Sequence, residues 1–190
     1  MRLPSVEQRD VLPEDKRHIY DYLAETRGAV RPPFSVLMNH PDVCYLVSQV
    51  GTFARFKSAL TKDVIETATL TAAREFDCRF EWAAHVPQAK NAGVGDNVIA
   101  AIDNKGDVAG LDDKAALVIR YVRQVLHDHR VDDATWSAVN HSNLSASRCR
   151  TLIFWLPNIS EVRGFWPGPG LVTFTSMPRI FRYHSVARAT

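Results

Sequence analysis

Residues 61–93 read TKDVIETATLTAAREFDCRFEWAAHVPQAKNAG, and the rest of the chain is best read outward from them. Thr61 has the hydroxyl of a helix N-cap, and the Ala-, Thr- and Glu-rich run behind it predicts a helix continuing to Phe76. A second helix is expected from Cys78 to about Asn91, stopped at Gly93, with Pro87 predicting a kink or a shortened helix near His85. Cys78, Glu81 and His85 stand at i, i+3 and i+7, so they share one narrow face of that second helix. Glu66 lies on the preceding helix and meets them if the two helices pack side by side.

The flanks read as helices too. After Pro13, the segment Glu14 to Glu25 carries Ile19, Tyr20, Leu23 and Ala24 on one stripe, and Gly28 with Pro32-Pro33 ends it. Phe34 to Met38 is a short turn. A helix opening on Pro41 is expected to run to Phe56 and to turn Val43, Leu46, Val47, Val50 and Phe53 toward the core. Asp96 to Asn104 follows, and then a long helix capped by Asp112 or Asp113 whose stripe is Ala115, Val118, Tyr121, Val122, Val125 and Leu126. Asp132 to Val139 continues the pattern, and nothing before His141 alternates with the period of a strand. The expectation is an all-α domain over residues 1–140.

Residues 141–190 differ in kind. They hold six Arg, no Lys and one acid, Glu161, whereas the preceding chain holds 17 basic and 20 acidic residues. Prolines and glycines from Pro157 to Pro178 leave only Ser145 to Leu156 as a helical candidate, the remainder reading as irregular or extended.

Composition narrows the function classes. A formal charge of +2 over 190 residues gives neither a nucleic acid nor an anionic membrane a surface to bind. Cys44, Cys78 and Cys149 are too few and too scattered for a disulfide framework or a zinc spacing, which favours a reducing compartment. The N-terminal segment MRLPSVEQRDVLPED has no apolar run and the longest uncharged apolar stretch, Leu152 to Pro157, falls far short of a membrane span, so the expected location is cytoplasmic.

Spacing alone does not make a site of the Cys78, Glu81 and His85 face. A Glu-x-x-x-His pair is a common solvated contact, and a lone cysteine is commonly a small buried hydrophobe. The longer string Ala73-Arg74-Glu75-Phe76-Asp77-Cys78-Arg79-Phe80-Glu81-Trp82-Ala83-Ala84-His85, with Glu66 before it and Gln88, Ala89 and Gly93 after it, is more specific. It resembles the carboxymuconolactone decarboxylase family and the AhpD-like alkylhydroperoxidase superfamily to which that family belongs. The peroxidase branch has a Glu, eleven residues and then C-x-x-C-x-x-x-H, and Glu66, Cys78 and His85 match it in type and spacing. Glu81 stands where that branch has its second thiol, as in the C-x-x-E-W-x-x-H version found among decarboxylase-type members. The resemblance covers residues 1–140; beyond them the family has another apolar helix, whereas this chain has either a divergent extension or the product of a shifted reading frame. It implies an AhpD-like fold, a homo-oligomer, commonly a trimer or hexamer, and a small-molecule substrate.

The residue at position 81 bears on mechanism. A dithiol peroxidase needs a second thiol to resolve the sulfenic acid left by the first, and Glu81 removes that local partner while disfavouring a thiolate at Cys78. For proton transfer, Glu81 is an asset, because a carboxylate one turn before His85 fixes its tautomer and raises its basicity. The resemblance therefore implies, first, decarboxylation of a lactone acid by acid–base chemistry with Glu66, Cys78, Glu81 and His85 in the site. A thiol-dependent hydroperoxidase is the second reading and a non-catalytic ligand-binding member the third. Arg74 is a candidate anchor for an anionic substrate, although helix arginines commonly pair with acids. Trp82 is a candidate pocket wall, with packing the favoured role. Glu81 and His85 give only two ligands to a metal where catalytic zinc takes three, so neither metal nor other cofactor is expected.

Overall fold

The computed structural model describes residues 3–142, and Ser145 to Leu156, Cys149 and the rest of the Arg-rich segment lie outside them. The described residues form eight α-helices and no strand, as the patterning predicts. They are α1 (Arg17–Arg27), α2 (Phe34–Leu37), α3 (Pro41–Thr52), α4 (Lys62–Glu75), α5 (Arg79–Asn91), α6 (Asp96–Asp103), α7 (Asp113–Arg123) and α8 (Asp133–His141).

α4 is the axis of the fold. Every residue from Val64 to Ala73 is buried, because α5, α6 and α7 all pack against it. A helix enclosed on all sides must satisfy whatever polar groups it carries. Thr69 and Thr71 do so by donating their hydroxyls to the carbonyls of Ile65 and Thr67, at 2.8 and 2.7 Å. One core cluster joins Val64, Ala68, Ala72 and Cys78 to Val118, Tyr121 and Val122, and a second joins Leu70 to Ile99, Ile102 and Ile119. Trp82 packs against both. A third, N-terminal cluster gathers Ile19, Leu23, Met38 and Cys44.

The turn between α4 and α5 positions the chemistry. The Cys78 N–H bonds to the Ala73 carbonyl at 2.7 Å and the Asp77 N–H to the Arg74 carbonyl at 3.1 Å, the paired bonds of a Schellman stop. That stop requires one left-handed residue, supplied here by Asp77 at φ 52°. Cys78 closes α4 and is at once the N-cap of α5. Farther along α4, the buried Glu75 carboxylate receives Arg123 at 2.9 Å and His127 at 3.1 Å and fastens α4 to the end of α7. Asp112 caps α7 by accepting the Ala115 N–H at 3.0 Å, and Asp132 does the same for α8 with Thr135.

Two expectations are corrected. α5 is not shortened near His85 but runs through Pro87 to Asn91. Pro87, and Ala83 whose carbonyl loses its donor to the proline, are exposed, so the missing bond falls on the solvent side of the helix, where it costs least. α3 also turns the other way. It buries Cys44, Ser48, Gly51 and Thr52, while Val43, Leu46, Val50 and Phe53 are 41–66% exposed. The small inward residues let α1 approach closely, with Tyr22 Oη bonded to Thr52 Oγ1 at 3.0 Å and Arg27 Nη2 to the Ser48 carbonyl at 3.2 Å. α3 ends at Thr52, and a wide turn, Phe53–Lys57, carries the chain on, closed by Ser58 N–H on the Phe53 carbonyl.

Candidate active site

Glu66 projects from α4, and Glu81 and His85 from α5. The helices pack side by side, and the three side chains meet in the packed layer between them. Glu66 Oε2 lies 2.6 Å from His85 Nδ1, and Glu81 Oε2 lies 3.2 Å from His85 Nε2. The imidazole is thus held between two carboxylates, with side-chain exposures of 6% for His85, 9% for Glu66 and 12% for Glu81. Carboxylates this deep need a partner, and here they share one.

The arrangement fixes a protonation preference. A neutral imidazole has one N–H and satisfies one of the two carboxylates; the imidazolium donates to both. Burial, the largest influence on His85, opposes the charged ring, yet the bonds to Glu66 and then Glu81, with their negative charges, outweigh it and raise the histidine above its usual value. The site therefore favours the charged ring and holds a carboxylate against each of its nitrogens, which is the equipment of a general acid or base.

Cys78 is buried one turn before Glu81 and packs within the α4–α7 cluster. It also borders a surface cleft of about 280 Å³ together with Arg74, Asp77, Arg79, Trp82 and Asp103. Glu66, Glu81 and His85 do not line that cleft. The hydrogen-bonded constellation is thus the two carboxylates and the histidine, with the thiol on the neighbouring cleft. Cys44 belongs to the N-terminal cluster, bonds its thiol to the Phe34 carbonyl, and is pushed up to about 12 by burial. It is not bonded to Cys78.

Arg74 lines the cleft, but its guanidinium is already engaged. It meets the Asp103 carbonyl at 2.6 Å, the Asp103 carboxylate at 3.2 Å and the Asp77 carboxylate at 3.1 Å. These contacts fasten the α4–α5 turn to the end of α6, a structural employment that leaves little charge for a ligand. Trp82 serves packing first, as its place between two clusters shows, and offers one edge to the cleft.

One basic residue escaped the sequence reading. Arg55, in the wide turn after α3, donates to Gln88 Oε1 at 2.6 Å, and Gln88 sits one turn after His85. Arg27 lies close enough to feel its charge: burial first, and Arg55 second, bring the Arg27 guanidinium down to about 10. Neither arginine is paired with a carboxylate among the described residues, so two uncompensated positive charges lie near each other, one of them bonded to the residue one turn after His85. The only hint in the sequence was an arginine set between Phe53 and Phe56, a pattern that also suits a solvated helix face.

Among the described residues no group of three His, Cys, Asp or Glu side chains is arranged to hold a metal ion, and no helix is long and apolar enough to cross a membrane. No family model and no curated protein matches the chain.

Proposed function

We propose that this chain is a carboxymuconolactone decarboxylase-like enzyme that acts on a small organic acid of the lactone type by acid–base chemistry, in a reducing, cytoplasmic setting and as a homo-oligomer. The observation that carries the reading is His85 held by Glu66 and Glu81 in a buried layer. Loss of carbon dioxide from such an acid breaks the bond to the carboxylate carbon and leaves its electron pair spread over the adjoining conjugated carbonyl. That centre needs electrostatic stabilisation and then a proton on carbon. The His85 imidazolium supplies the proton, Glu66 restores the ring's orientation and takes part in reprotonation, and Glu81 fixes the second nitrogen. Arg55, which is bonded to the neutral Gln88, lies over the Phe56 ring and has no carboxylate partner among the described residues, replaces Arg74 as the anchor for the substrate carboxylate. Arg74 and Trp82 shape the neighbouring cleft.

A thiol-dependent hydroperoxidase is the second reading, supported by Cys78 at the edge of that cleft. It lacks a resolving thiol beside Cys78 at position 81, and Cys44 is committed to a different cluster. Turnover of a lactone acid, followed together with mass spectrometry of Cys78 after peroxide treatment, separates the two. The acid–base reading expects His85→Ala to lose about 100- to 10,000-fold in kcat, the usual worth of a positioned acid or base, and Cys78→Ala to retain turnover. Full activity in His85→Ala defeats it; stoichiometric sulfenic acid or a disulfide at Cys78 favours the peroxidase. Ligand binding with neither activity favours a binding-only protein.

A further inference from the structure

The outward stripe of α3 has the spacing of a helix–helix seam. Val43, Leu46, Val50 and Phe53 follow one another at intervals of three, four and three, the repeat that lets two helices interdigitate. All four are exposed, as is Phe56 beyond them, and a run of apolar side chains on one continuous helix face is a surface of the kind that marks an interface.

The two ends of this stripe carry opposite charge. Asp42 lies in the first turn of α3, and Arg55 and Lys57 lie in the turn that follows it. A parallel partner of the same sequence would set like charges and like helix ends together. An antiparallel one sets acid against base and opposes the helix dipoles, and only the antiparallel arrangement is produced by a twofold axis perpendicular to the helix. Asp42 already holds Lys16 through Oδ1 at 2.7 Å and Arg55 holds Gln88; Lys57 has no ion-pair partner among the described residues and is the base left for a neighbour.

We propose that residues 41–57 form a self-complementary interface at which two copies of this chain pack antiparallel about a twofold axis. Leu46 of each copy lies against Val50 of the other, Val43 lies against Phe53, and Lys57 reaches the partner copy's acidic end at Asp42. The partner is a second copy because the seam is complementary to itself in both shape repeat and charge. The proposal does not depend on the catalytic reading.

Light scattering and sedimentation velocity on the full 190-residue chain test it. The expected mass is an even multiple of the 21.3 kDa chain, with Leu46→Asp weakening association by about 100-fold or more, as for a charge forced into the centre of a packed interface, at unchanged circular dichroism. Asp42→Lys and Lys57→Asp should each weaken association, and the two together should recover it. A monomeric wild type, as when residues 143–190 cover the stripe within one copy, overturns the proposal, as does a trimer. Should Leu46→Asp lose its helical signal, the charge reversals decide: association unaffected by either single reversal, or no recovery in the double variant, overturns it.

Discussion

α4 is buried from Val64 to Ala73 without interruption, while α3 and the residue that follows it turn Val43, Leu46, Val50 and Phe53 outward. In composition the order is reversed, since α3 carries the stronger apolar stripe and α4 is interspersed with threonines and a glutamate. The contrast teaches that an apolar face declares only that it is to be covered. What covers it depends on size and connection. The small residues Cys44, Ser48 and Gly51 bring α3 close to its own chain, and Thr69 and Thr71 of α4 can be enclosed because each disposes of its hydroxyl within the helix.

The largest expected break in this comparison is Leu70→Ala against Leu46→Ala. Leu70 is fully buried, so its truncation should cost about 2–5 kcal/mol in urea unfolding. Leu46→Ala, measured at protein concentrations too low for copies to meet, should change stability by less than about 0.5 kcal/mol. Equal losses at the two sites would mean that α3 is packed within its own chain.

A second prediction concerns pH. Because folding raises the His85 pKa, its contribution to stability is fully present below the unfolded value of about 6.5 and is lost as pH rises through the higher folded value. Glu66→Gln removes the closer of its two partners and should move that loss to lower pH. Unfolding curves collected from pH 5 to 9 read this directly, and superimposable profiles for the two proteins would show that Glu66 does not hold the proton.

Smaller effects follow at the helix ends. Asp112→Ala should cost about 1 kcal/mol, as for other N-caps. Asp77→Gly relieves a left-handed aspartate but gives up its contact with Arg74, and a half-exposed ion pair is worth less than about 1 kcal/mol. The two changes nearly cancel, and a thermal melt should move by only a few degrees.

The helical class, the cap at Asp112 and the shared face of Glu81 and His85 were all legible from periodicity and side-chain chemistry. That Glu66 joins them was conditional on how two helices pack, which no local pattern states. The inward face of α3 was misread because periodicity identifies a stripe without naming its partner. That Arg74 pairs with acids was foreseeable in kind but not in identity, since one of its partners is Asp77 nearby and the other the distant Asp103. Arg55 was missed for the converse reason. Its relation to His85 runs through Gln88, 33 residues away in the chain.

The residue whose N–H closes the stop of α4 is also the N-cap of α5, and this makes the segment between them a gauge of fixed length. Glu66 and His85 are 19 positions apart, and Cys78 leaves no slack between the helices that carry them. One residue inserted after Asp77 would turn α5 by about 100° about its axis relative to α4, carrying His85 away from Glu66 while leaving both helices intact. Natural variation in chain length within this fold is accordingly to be sought around Gly93 and Gly110, both left-handed glycines in the connections beyond α5, where added residues leave the two carboxylates and their histidine in phase.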